Sequence, residues 1–341
     1  MPTDDRGTSR HNYENADLTI NVCTVDRHDQ LLACLDSLLK TTPEGVTLNV
    51  VFNGSPPALI EAAQKRIAAW NGPTNASILD EIIPVTDSHN HALSLVRTPL
   101  VNFMGDDDIV LNERIQVLLD AFNQLEPEPV AVTTFARRIA GDAYEPRIGS
   151  NKELGPTTIE GWAEWRDAGR MFELLWPGAV LNTEALRSIG GFEAEFERTF
   201  DNRIFTRLSA LGPVLSLTDC NFGFRIHEGS LSTSKFIESS QQIRHVQACR
   251  TAEVEGRPAP TRASFLEAER QAPAHTRARI YLRSRSRMHF RRGSAFLFEG
   301  GRKAEASRQL ATSAVLWPPA FFEKLLDQGK PIDALRRLLR G

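Results

Sequence analysis

The apolar residues in the first third of the chain follow two alternating spacings. Short runs rich in β-branched residues, such as 17–25 and 47–52, are each followed by a polar turn. After the first turn, leucines recur at helical spacing over residues 26–41, and further strand patterns occur near 78–83 and at 99–104. Strands that alternate with helices predict an α/β fold with a mostly parallel sheet and helices on both faces. Ligands of such sheets bind at the carboxyl ends of the strands.

The patterns in the rest of the chain are less regular and then become purely helical. Residues 130–139 predict another strand, and residues 158–176 predict a helix rich in aromatic residues. From about residue 236 onward, only helical spacings occur. We therefore predict three segments: a disordered polar leader (1–15), an α/β domain (16–235) and an α-helical C-terminal extension (236–341).

Composition narrows the class of protein only modestly. The chain has 341 residues, of which 41% are hydrophobic, and no apolar run reaches the length of about 18 residues that suggests a membrane span. The four cysteines lack CxxC spacing, which favours reduced thiols over a zinc site or a disulfide framework. A formal net charge of -3 gives no general attraction to nucleic acid. We therefore expect a soluble, cytoplasmic protein that does not bind nucleic acid.

The stretch 277–308 departs from this balance, because it contains ten Lys or Arg residues and two Glu residues. Such a stretch is either a solvated helix face, which we favour, or a patch that contacts anionic lipid or an anionic acceptor. The sequence therefore allows peripheral contact with the inner face of the membrane. The helical extension also offers a surface for a homo-oligomer.

Three consecutive aspartates, Asp106, Asp107 and Asp108, follow the strand pattern at 99–104. Because like charges at that spacing repel, we expect a positively charged partner nearby. One interpretation is an exposed acidic turn that caps the next helix. The other is a site for a hard divalent cation, such as Mg²⁺ or Mn²⁺, that also binds the oxygens of a diphosphate.

Six segments between residues 17 and 235 occur in an order that is known from one enzyme family. They read CTVDRHDQLLACLDSLL, VVFNGS, SHNHAL, FMGDDDIVLNERI, GGFEAEFERTFDNRIFTRL and FRIHEGSLS. Together they resemble the family 2 glycosyltransferases, an inverting group with the Rossmann-like GT-A fold of nucleotide-diphospho-sugar transferases. The resemblance implies transfer of a sugar from a UDP-, dTDP- or GDP-linked donor. We expect a single transfer, because QQIRH at 241–245 lacks the tryptophan of the corresponding element in processive synthases and no apolar run is long enough for a membrane span. The acceptor would be a hydroxyl of a glycan, a lipid-linked molecule or a small molecule.

The resemblance implies a metal site at the acidic motif, which is of the DXD type. It makes Asp108 the direct metal ligand, with Asp106 and Asp107 close to the donor ribose or to the metal and its bound water. His227 would be the second protein ligand, although on its own it is typical of a surface-loop histidine. Because imidazole is a softer ligand than carboxylate, this set favours Mn²⁺ over Mg²⁺.

The resemblance also assigns residues that bind the nucleotide-sugar donor. They are Thr24, Asp26, Arg27, Asn53, Asn90, Asp106, Asp107 and Arg225. Phe52 occupies the position where the family usually has an aspartate that recognises uracil, so the donor base stays open. This phenylalanine either stacks on the base or belongs to the core.

Asp201 matches the position of the family's general base. Such a base deprotonates the acceptor hydroxyl, and a single displacement then inverts the anomeric configuration. The alternative role of Asp201 is to cap the helix that begins there. Four aromatic residues upstream either contact the acceptor or fill the core: Trp162, Trp165, Phe172 and Trp176.

Two other classes of protein are alternatives to a glycosyltransferase. A sugar-1-phosphate nucleotidylyltransferase shares an α/β nucleotide-binding core, but it would normally carry a Gly-rich loop after the first strand, and CTVDRHD contains no glycine. A catalytically silent glycosyltransferase-like protein would use the helical extension to bind a partner. The retention of Asp108, Asp201 and His227 argues against that second class.

Overall fold

This computed structural model describes residues 12–112, 114–140, 143–147, 154–226, 235–299 and 302–326. Its strands are β1 (Leu18–Thr24), β2 (Thr47–Asn53), β3 (Thr74–Leu79), β4 (Leu100–Gly105), β5 (Ile109–Val110), β6 (Ala131–Ala140), β7 (Ala143–Arg147), β8 (Val180–Asn182) and β9 (Val214–Ile226). Its α-helices are α1 (His28–Thr41), α2 (Pro57–Ile67), α3 (Val85–Leu95), α4 (Arg114–Gln124), α5 (Ile159–Asp167), α6 (Thr183–Ser188), α7 (Phe200–Leu208), α8 (Phe236–Val254), α9 (Arg262–Gln271), α10 (Ala274–Glu299), α11 (Lys303–Leu316) and α12 (Pro318–Leu326).

The strands form one mixed sheet in the order β3-β2-β1-β4-β8-β6-β9-β5, with β7 paired to β6. Strands β3, β2, β1 and β4 are parallel to one another. Strand β8 is antiparallel to both β4 and β6, and β6 is parallel to β9. Since β6 and β9 therefore run in the same direction as β4, the prediction of a mostly parallel sheet is confirmed.

The register of the strands brings several carboxyl ends together at one edge. Cys23, next to the end of β1, pairs with Gly105 at the end of β4. Strand β5 follows β4 after a short turn and is antiparallel to the last part of β9, where Ile109 pairs with Gly223. The turn after β1, the turn after β4 and the end of β9 therefore meet at the edge where α/β sheets bind ligands.

Helices cover both faces of this sheet, as predicted. Helices α1, α2 and α4 contribute to one apolar cluster, which includes Leu35 and Phe122. Helices α3, α6 and α7 contribute to a second cluster, which includes Leu93 and Phe205. Successive residues of β4 alternate between the two clusters, because side chains along a strand point to opposite faces. The sheet is therefore the middle layer of a three-layer α/β domain.

The structure shortens the helix that we predicted at 158–176. Helix α5 ends at Asp167, and Gly169 beyond it has a φ of +65°, a left-handed conformation that favours glycine and stops the helix. The irregular segment that follows still buries Phe172 and Trp176. Regularly spaced aromatic residues here reflect burial in the core rather than a continuous helix.

Two other predicted boundaries also differ. Strand β3 begins at Thr74, four residues before the predicted start at 78, because it is an edge strand whose mostly exposed side chains give no apolar pattern. The end of the predicted disordered leader is ordered from residue 12 onward. Tyr13 is buried there, its backbone N–H donates to the Asn123 side chain at 2.8 Å, and its hydroxyl donates to Glu128 at 2.6 Å. Residues 1–11 lie outside the described residues.

The helical extension begins by packing against the α/β domain. Nη1 of Arg203 in α7 lies 2.7 Å from a carboxylate oxygen of Glu253 in α8. His245 of α8 stacks between Phe196 and Phe265, with ring centroids 4.7 and 4.9 Å away. Every element that the structure describes beyond residue 235 is an α-helix. Helix α8 is therefore continuous with the core of the protein rather than separated from it by a linker.

The predicted basic stretch lies on α10 and α11. Arg283 and Arg287 of this stretch pair with Glu323 of α12, at 3.3 and 2.6 Å. In the part of the chain that the structure describes, none of the helices is both long and apolar enough to cross a membrane. Contact with lipid and self-association through the extension stay predictions.

We predict that Phe122→Ala lowers the free energy of unfolding by about 3–5 kcal/mol, because Phe122 is fully buried in the cluster beneath α1, α2 and α4. Urea denaturation followed by circular dichroism measures this change. Phe322→Ala is the matched control, since this phenylalanine is 56% exposed on α12. Equal losses from the two substitutions would contradict the assignment of the core.

Candidate active site

The acidic motif forms a tight turn directly after β4. The exposed fractions of Asp106 and Asp108 are only 7% and 2%. The backbone N–H of Asp108 donates to the carbonyl oxygen of Gly105 at 3.2 Å, which closes the turn. A Cβ atom on Gly105 would lie 2.8 Å from Oδ2 of Asp108, so a larger residue there would displace that carboxylate. The interpretation as an exposed acidic turn is therefore wrong.

Two side chains at the end of β1 contact this acidic turn. Nη1 of Arg27 lies 2.8 Å from Oδ1 of Asp106 and 2.7 Å from Oδ2 of Asp107, so one guanidinium bridges two carboxylates. The hydroxyl of Thr24 donates to Oδ2 of Asp106 at 2.8 Å. Each carboxylate oxygen of Asp106 therefore has a donor. The parallel pairing of β1 with β4 brings these residues together.

The end of β9 contacts the same turn from the other side. The backbone N–H of Arg225 donates to Oδ1 of Asp108 at 3.0 Å, and its guanidinium Nε donates to the carbonyl oxygen of Asp107 at 3.0 Å. The antiparallel pairing of β5 with β9 places Arg225 here. The structure thus unites residues that are more than 100 positions apart in the sequence.

Burial dominates the electrostatics of the acidic turn. Desolvation raises the pKa of Asp106, and the nearby Arg27 guanidinium offsets this effect only in part. Desolvation also raises the pKa of Asp108 well above its usual value, and the charge of Asp107 raises it further. The guanidinium groups of Arg27, Arg225 and the buried Arg114 supply positive charge to these three carboxylates.

Arg114 is a site residue that the sequence analysis missed. It is fully buried in the first turn of α4, and its guanidinium donates to the carbonyl oxygen of Pro177 at 3.0 Å. Burial lowers the pKa of Arg114 to about 10, and its charge interacts with that of Asp108. The sequence spacing could have predicted its burial, because Arg114 lies four and eight residues before Leu118 and Phe122 and shares the buried face of α4 with them.

A cluster of aromatic rings connects β4 with α7. The ring of Phe103 in β4 stacks on His89 and Trp176, with centroids 5.3 and 5.7 Å apart. Trp176 in turn contacts Phe200, the first residue of α7, at 5.2 Å. Burial lowers the pKa of His89 to about 4, so its ring is neutral at physiological pH. Asp201 follows Phe200 directly and is therefore anchored to the strand that carries the acidic turn.

Asp201 occupies the second position of α7. The N-cap of this helix is Thr199, so the alternative interpretation of Asp201 as the cap residue is wrong. Desolvation raises the pKa of Asp201 to about 6; the backbone N–H of Asn202 lowers it, and the charge of Glu173 raises it. Glu173 is a second residue that the sequence analysis missed, because its neighbours suggested only an aromatic helix.

Three residues expected to bind the donor are placed differently. The amide of Asn53 exchanges two hydrogen bonds with the backbone of Ile83, both at 2.9 Å. The amide of Asn90 does the same with the backbone of Phe192, at 2.8 and 2.9 Å. These amides hold loop backbones, and their role in donor binding stays a prediction. Asp26 is exposed and has no side-chain partner among the described residues.

Most of the aromatic residues that could either contact a ligand or fill the core belong to the core. Phe52 is fully buried in the cluster beneath α1, α2 and α4, so it does not present a face for stacking on a donor base. Trp162, Phe172 and Trp176 are buried in the second cluster. Trp165 is the exception, because it stays partly exposed at the end of α5.

The acidic turn offers the type of ligand atom that divalent cations prefer. Oxygen donors suit hard cations, which proteins often hold with one or two carboxylates and the phosphates of the substrate. Among the residues that the structure describes, no group of three or more His, Cys, Asp or Glu side chains could hold a metal ion by itself. His227 lies outside the described residues. The carboxylate oxygens of the turn are of the kind that suits a hard divalent cation, and the role of His227 stays a prediction.

Comparisons with known proteins agree with this architecture. Residues 19–174 match the family model described as glycosyl transferase family 2. A comparison with curated proteins gives no match. Similar solved structures include S. aureus TarS, with a TM-score of 0.51 and 13% identity over 89% of this chain and 54% of that chain. This chain thus spans about half the length of TarS.

Two further solved structures are similar to this chain over most of the length of both chains. One is the 1–349 fragment of S. aureus TarS in complex with UDP-GlcNAc, with a TM-score of 0.50 and 14% identity over 91% of this chain and 92% of that chain. The other is the mannosyltransferase PcManGT from Pyrobaculum calidifontis in complex with GDP-Man and Mn²⁺, with a TM-score of 0.51 and 15% identity over 95% and 87% of the two chains. At these identities the similarity shows the fold alone.

The fold is that of the GT-A glycosyltransferases. The match to glycosyl transferase family 2 covers residues 19–174, a little under half of the chain, and is consistent with a transferase.

We predict that Arg27→Gln lowers the free energy of unfolding by about 2 kcal/mol, because it leaves Asp106 and Asp107 partly buried without their shared guanidinium. Urea denaturation at neutral pH measures the change. Lys65→Gln is the control, since Lys65 and Glu61 form an exposed pair whose loss costs about 0.5 kcal/mol or less. If both variants lost the same small amount, Arg27 would not neutralise the acidic turn in solution.

Proposed function

We propose that this protein transfers a single sugar from a nucleotide-sugar donor to an acceptor hydroxyl, with inversion of the anomeric configuration and with the help of a divalent cation. The observation that carries this proposal is the buried acidic turn of Asp106, Asp107 and Asp108 within a family 2 glycosyltransferase domain. Buried carboxylates with perturbed pKa values at the strand end where α/β sheets bind ligands are typical of a functional site.

The donor diphosphate would bind at this turn. Asp108, supported by Asp106 and by His227, would hold the cation, which on binding would neutralise the charge that develops on the departing diphosphate. The guanidinium of Arg225 lies against the turn and would contact the phosphates. Two similar structures contain UDP-GlcNAc, or GDP-Man with Mn²⁺, which supports a nucleotide-sugar donor and Mn²⁺ as the cation. The base and the sugar of the donor stay open.

Asp201 would act as the general base. Its carboxylate accepts the proton of the acceptor hydroxyl while the hydroxyl oxygen forms a bond to the anomeric carbon. The bond from that carbon to the diphosphate breaks, and the nucleoside diphosphate leaves. A pKa of about 6 leaves Asp201 mostly ionised at neutral pH and basic enough to take a proton.

Release of nucleoside diphosphate tests the proposed function. We expect the full chain with Mn²⁺ to release it from at least one of a panel of UDP-, dTDP- and GDP-sugars, and a chelator to abolish the release. Asp108→Asn should reduce the release by about 10² or more, because it removes a charge that holds the cation. Asp80→Asn, an exposed aspartate, should leave it unchanged.

Three outcomes would contradict the proposed function. Release that survives the chelator would remove the cation from the mechanism. Formation of pyrophosphate from a sugar 1-phosphate and a nucleoside triphosphate would indicate a nucleotidylyltransferase. Binding of donors without release, even with acceptors present, would indicate a catalytically silent protein.

We predict that Asp201→Asn lowers the rate of transfer by about 10² or more while the donor KM changes little, because the amide cannot accept the proton. In the wild type, kcat should fall as the pH drops below about 6, since the carboxylate of Asp201 is then protonated. Steady-state kinetics between pH 5 and pH 8 would show both effects.

Asp87→Asn is the matched control for this prediction. Asp87 is exposed in the first turn of α3, so its loss should change neither the rate nor the pH profile. Wild-type turnover by Asp201→Asn would remove Asp201 from the mechanism.

A further inference from the structure

A cleft of about 400 Å³ lies between α5, the segment after it and α8. Its lining includes Trp165, Gly169, Arg170, Met171, Glu173 and Gln247. The volume is within the range of small-molecule sites in proteins. Because Gln247 belongs to α8, the first helix of the extension contributes directly to this cleft.

The polar side chains of the cleft are available to a ligand. Glu173 and Gln247 are exposed, and neither side chain has a hydrogen-bond or ion-pair partner in the part of the chain that the structure describes. A carboxylate accepts hydrogen bonds from two neighbouring hydroxyl groups, and a carboxamide both donates and accepts. Together they match the alternating donors and acceptors of a polyhydroxylated molecule.

A flat cationic surface completes the cleft. The guanidinium of Arg170 lies over the ring of Trp165, 4.2 Å from its centroid, and Trp165 is itself held by an edge contact with Phe172 at 5.7 Å. A stacked guanidinium is held in one orientation, so it loses less conformational entropy when its N–H groups bind an oxygen.

Glu173 connects this cleft to Asp201. It lines the cleft, and its charge acts on the Asp201 carboxylate. The segment that carries Glu173 also packs against α7, since the backbone N–H of the adjacent Phe172 donates to the hydroxyl of Thr206 at 3.0 Å. The cleft therefore lies against the helix that carries Asp201, the proposed base. The acidic turn, where the donor would bind, lies at the end of β4 and contributes no residue to the cleft lining.

We infer that this cleft binds the acceptor and that it selects a neutral sugar or polyol, an inference that rests on the proposed function. Glu173 and Gln247 bind hydroxyl groups of the acceptor, and Arg170 donates to a further oxygen. The charge of Glu173 offsets that of Arg170, so the cleft offers no net attraction to a phosphorylated acceptor. Through Gln247, the helical extension thereby contributes to binding of the acceptor.

Acceptor kinetics of Gln247→Ala test this inference. The full chain is assayed with the donor that supports nucleotide release, with neutral p-nitrophenyl glycosides as probes and with glucose 6-phosphate as an anionic comparison. We expect Gln247→Ala to raise the KM of a glycoside about tenfold, through loss of hydrogen bonds, with little change in the donor KM. Gln64→Ala, an exposed glutamine on α2, is the matched control and should change neither constant.

A second variant tests the charge of the cleft. Glu173→Gln should raise the KM of the glycosides and lower that of glucose 6-phosphate, because it removes the negative charge. It should also shift the acidic limb of the kcat profile to lower pH, since the charge of Glu173 no longer acts on Asp201. Glu160→Gln, an exposed glutamate at the start of α5, is its control.

Direct binding separates this inference from the proposed function. Ligand-observed NMR with the same glycosides reports binding whether or not the chain turns over. If nucleotide release fails while glycosides bind the wild type and not Gln247→Ala, the proposed function is wrong but the cleft is confirmed as a site for neutral sugars. If glycosides bind both variants as they bind the wild type, or if glucose 6-phosphate is preferred, the cleft assignment is overturned.

Discussion

The burial of three adjacent carboxylates at the end of β4 is the constraint on which this structure depends. Like charges in a low-dielectric environment repel and lose hydration, so they persist only where the fold supplies compensating groups. Here Thr24 and Arg27 reach the turn from β1, and Arg225 reaches it from β9. The charge of the buried Arg114 also acts on Asp108, so three carboxylates and three guanidinium groups are concentrated at one strand end. The chemistry that we propose depends on this concentration of charge.

The sheet explains how residues so distant in sequence converge. Parallel pairing aligns the ends of β1 and β4, and the short strand β5 ties the acidic turn to the end of β9. A layer of aromatic rings then links Phe103 of β4 to Phe200 of α7, so that Asp201 is fixed relative to the acidic turn by packing. Contacts between α7 and α8 extend this rigid framework into the helical extension. The same packed framework therefore positions the acidic turn, the proposed base Asp201 and the cleft that Glu173 and Gln247 line.

Much of this architecture could be predicted from sequence, because alternating strand and helix spacings are strong in the first hundred residues. The acidic motif was also evident, since three aspartates directly after a buried apolar strand are unusual. Arg114 and Glu173 were missed because charged residues inside a helix or an aromatic segment look solvated until tertiary contacts are known. Asn53 and Asn90 show the opposite case: the resemblance marked them for the donor, whereas their amides hold loop backbones. The sequence pattern shows which residues are unusual, but only the packed structure shows which polar side chains already have hydrogen-bond partners.

A crystal structure of the chain with Mn²⁺ and UDP or GDP tests the central claim most directly, with anomalous scattering to locate the manganese. The account predicts one manganese ion held by the carboxylate of Asp108 together with the nucleotide diphosphate, on the side of the sheet edge that Asp201 faces. Manganese bound elsewhere, or a nucleotide that makes no contact with the acidic turn, would contradict it.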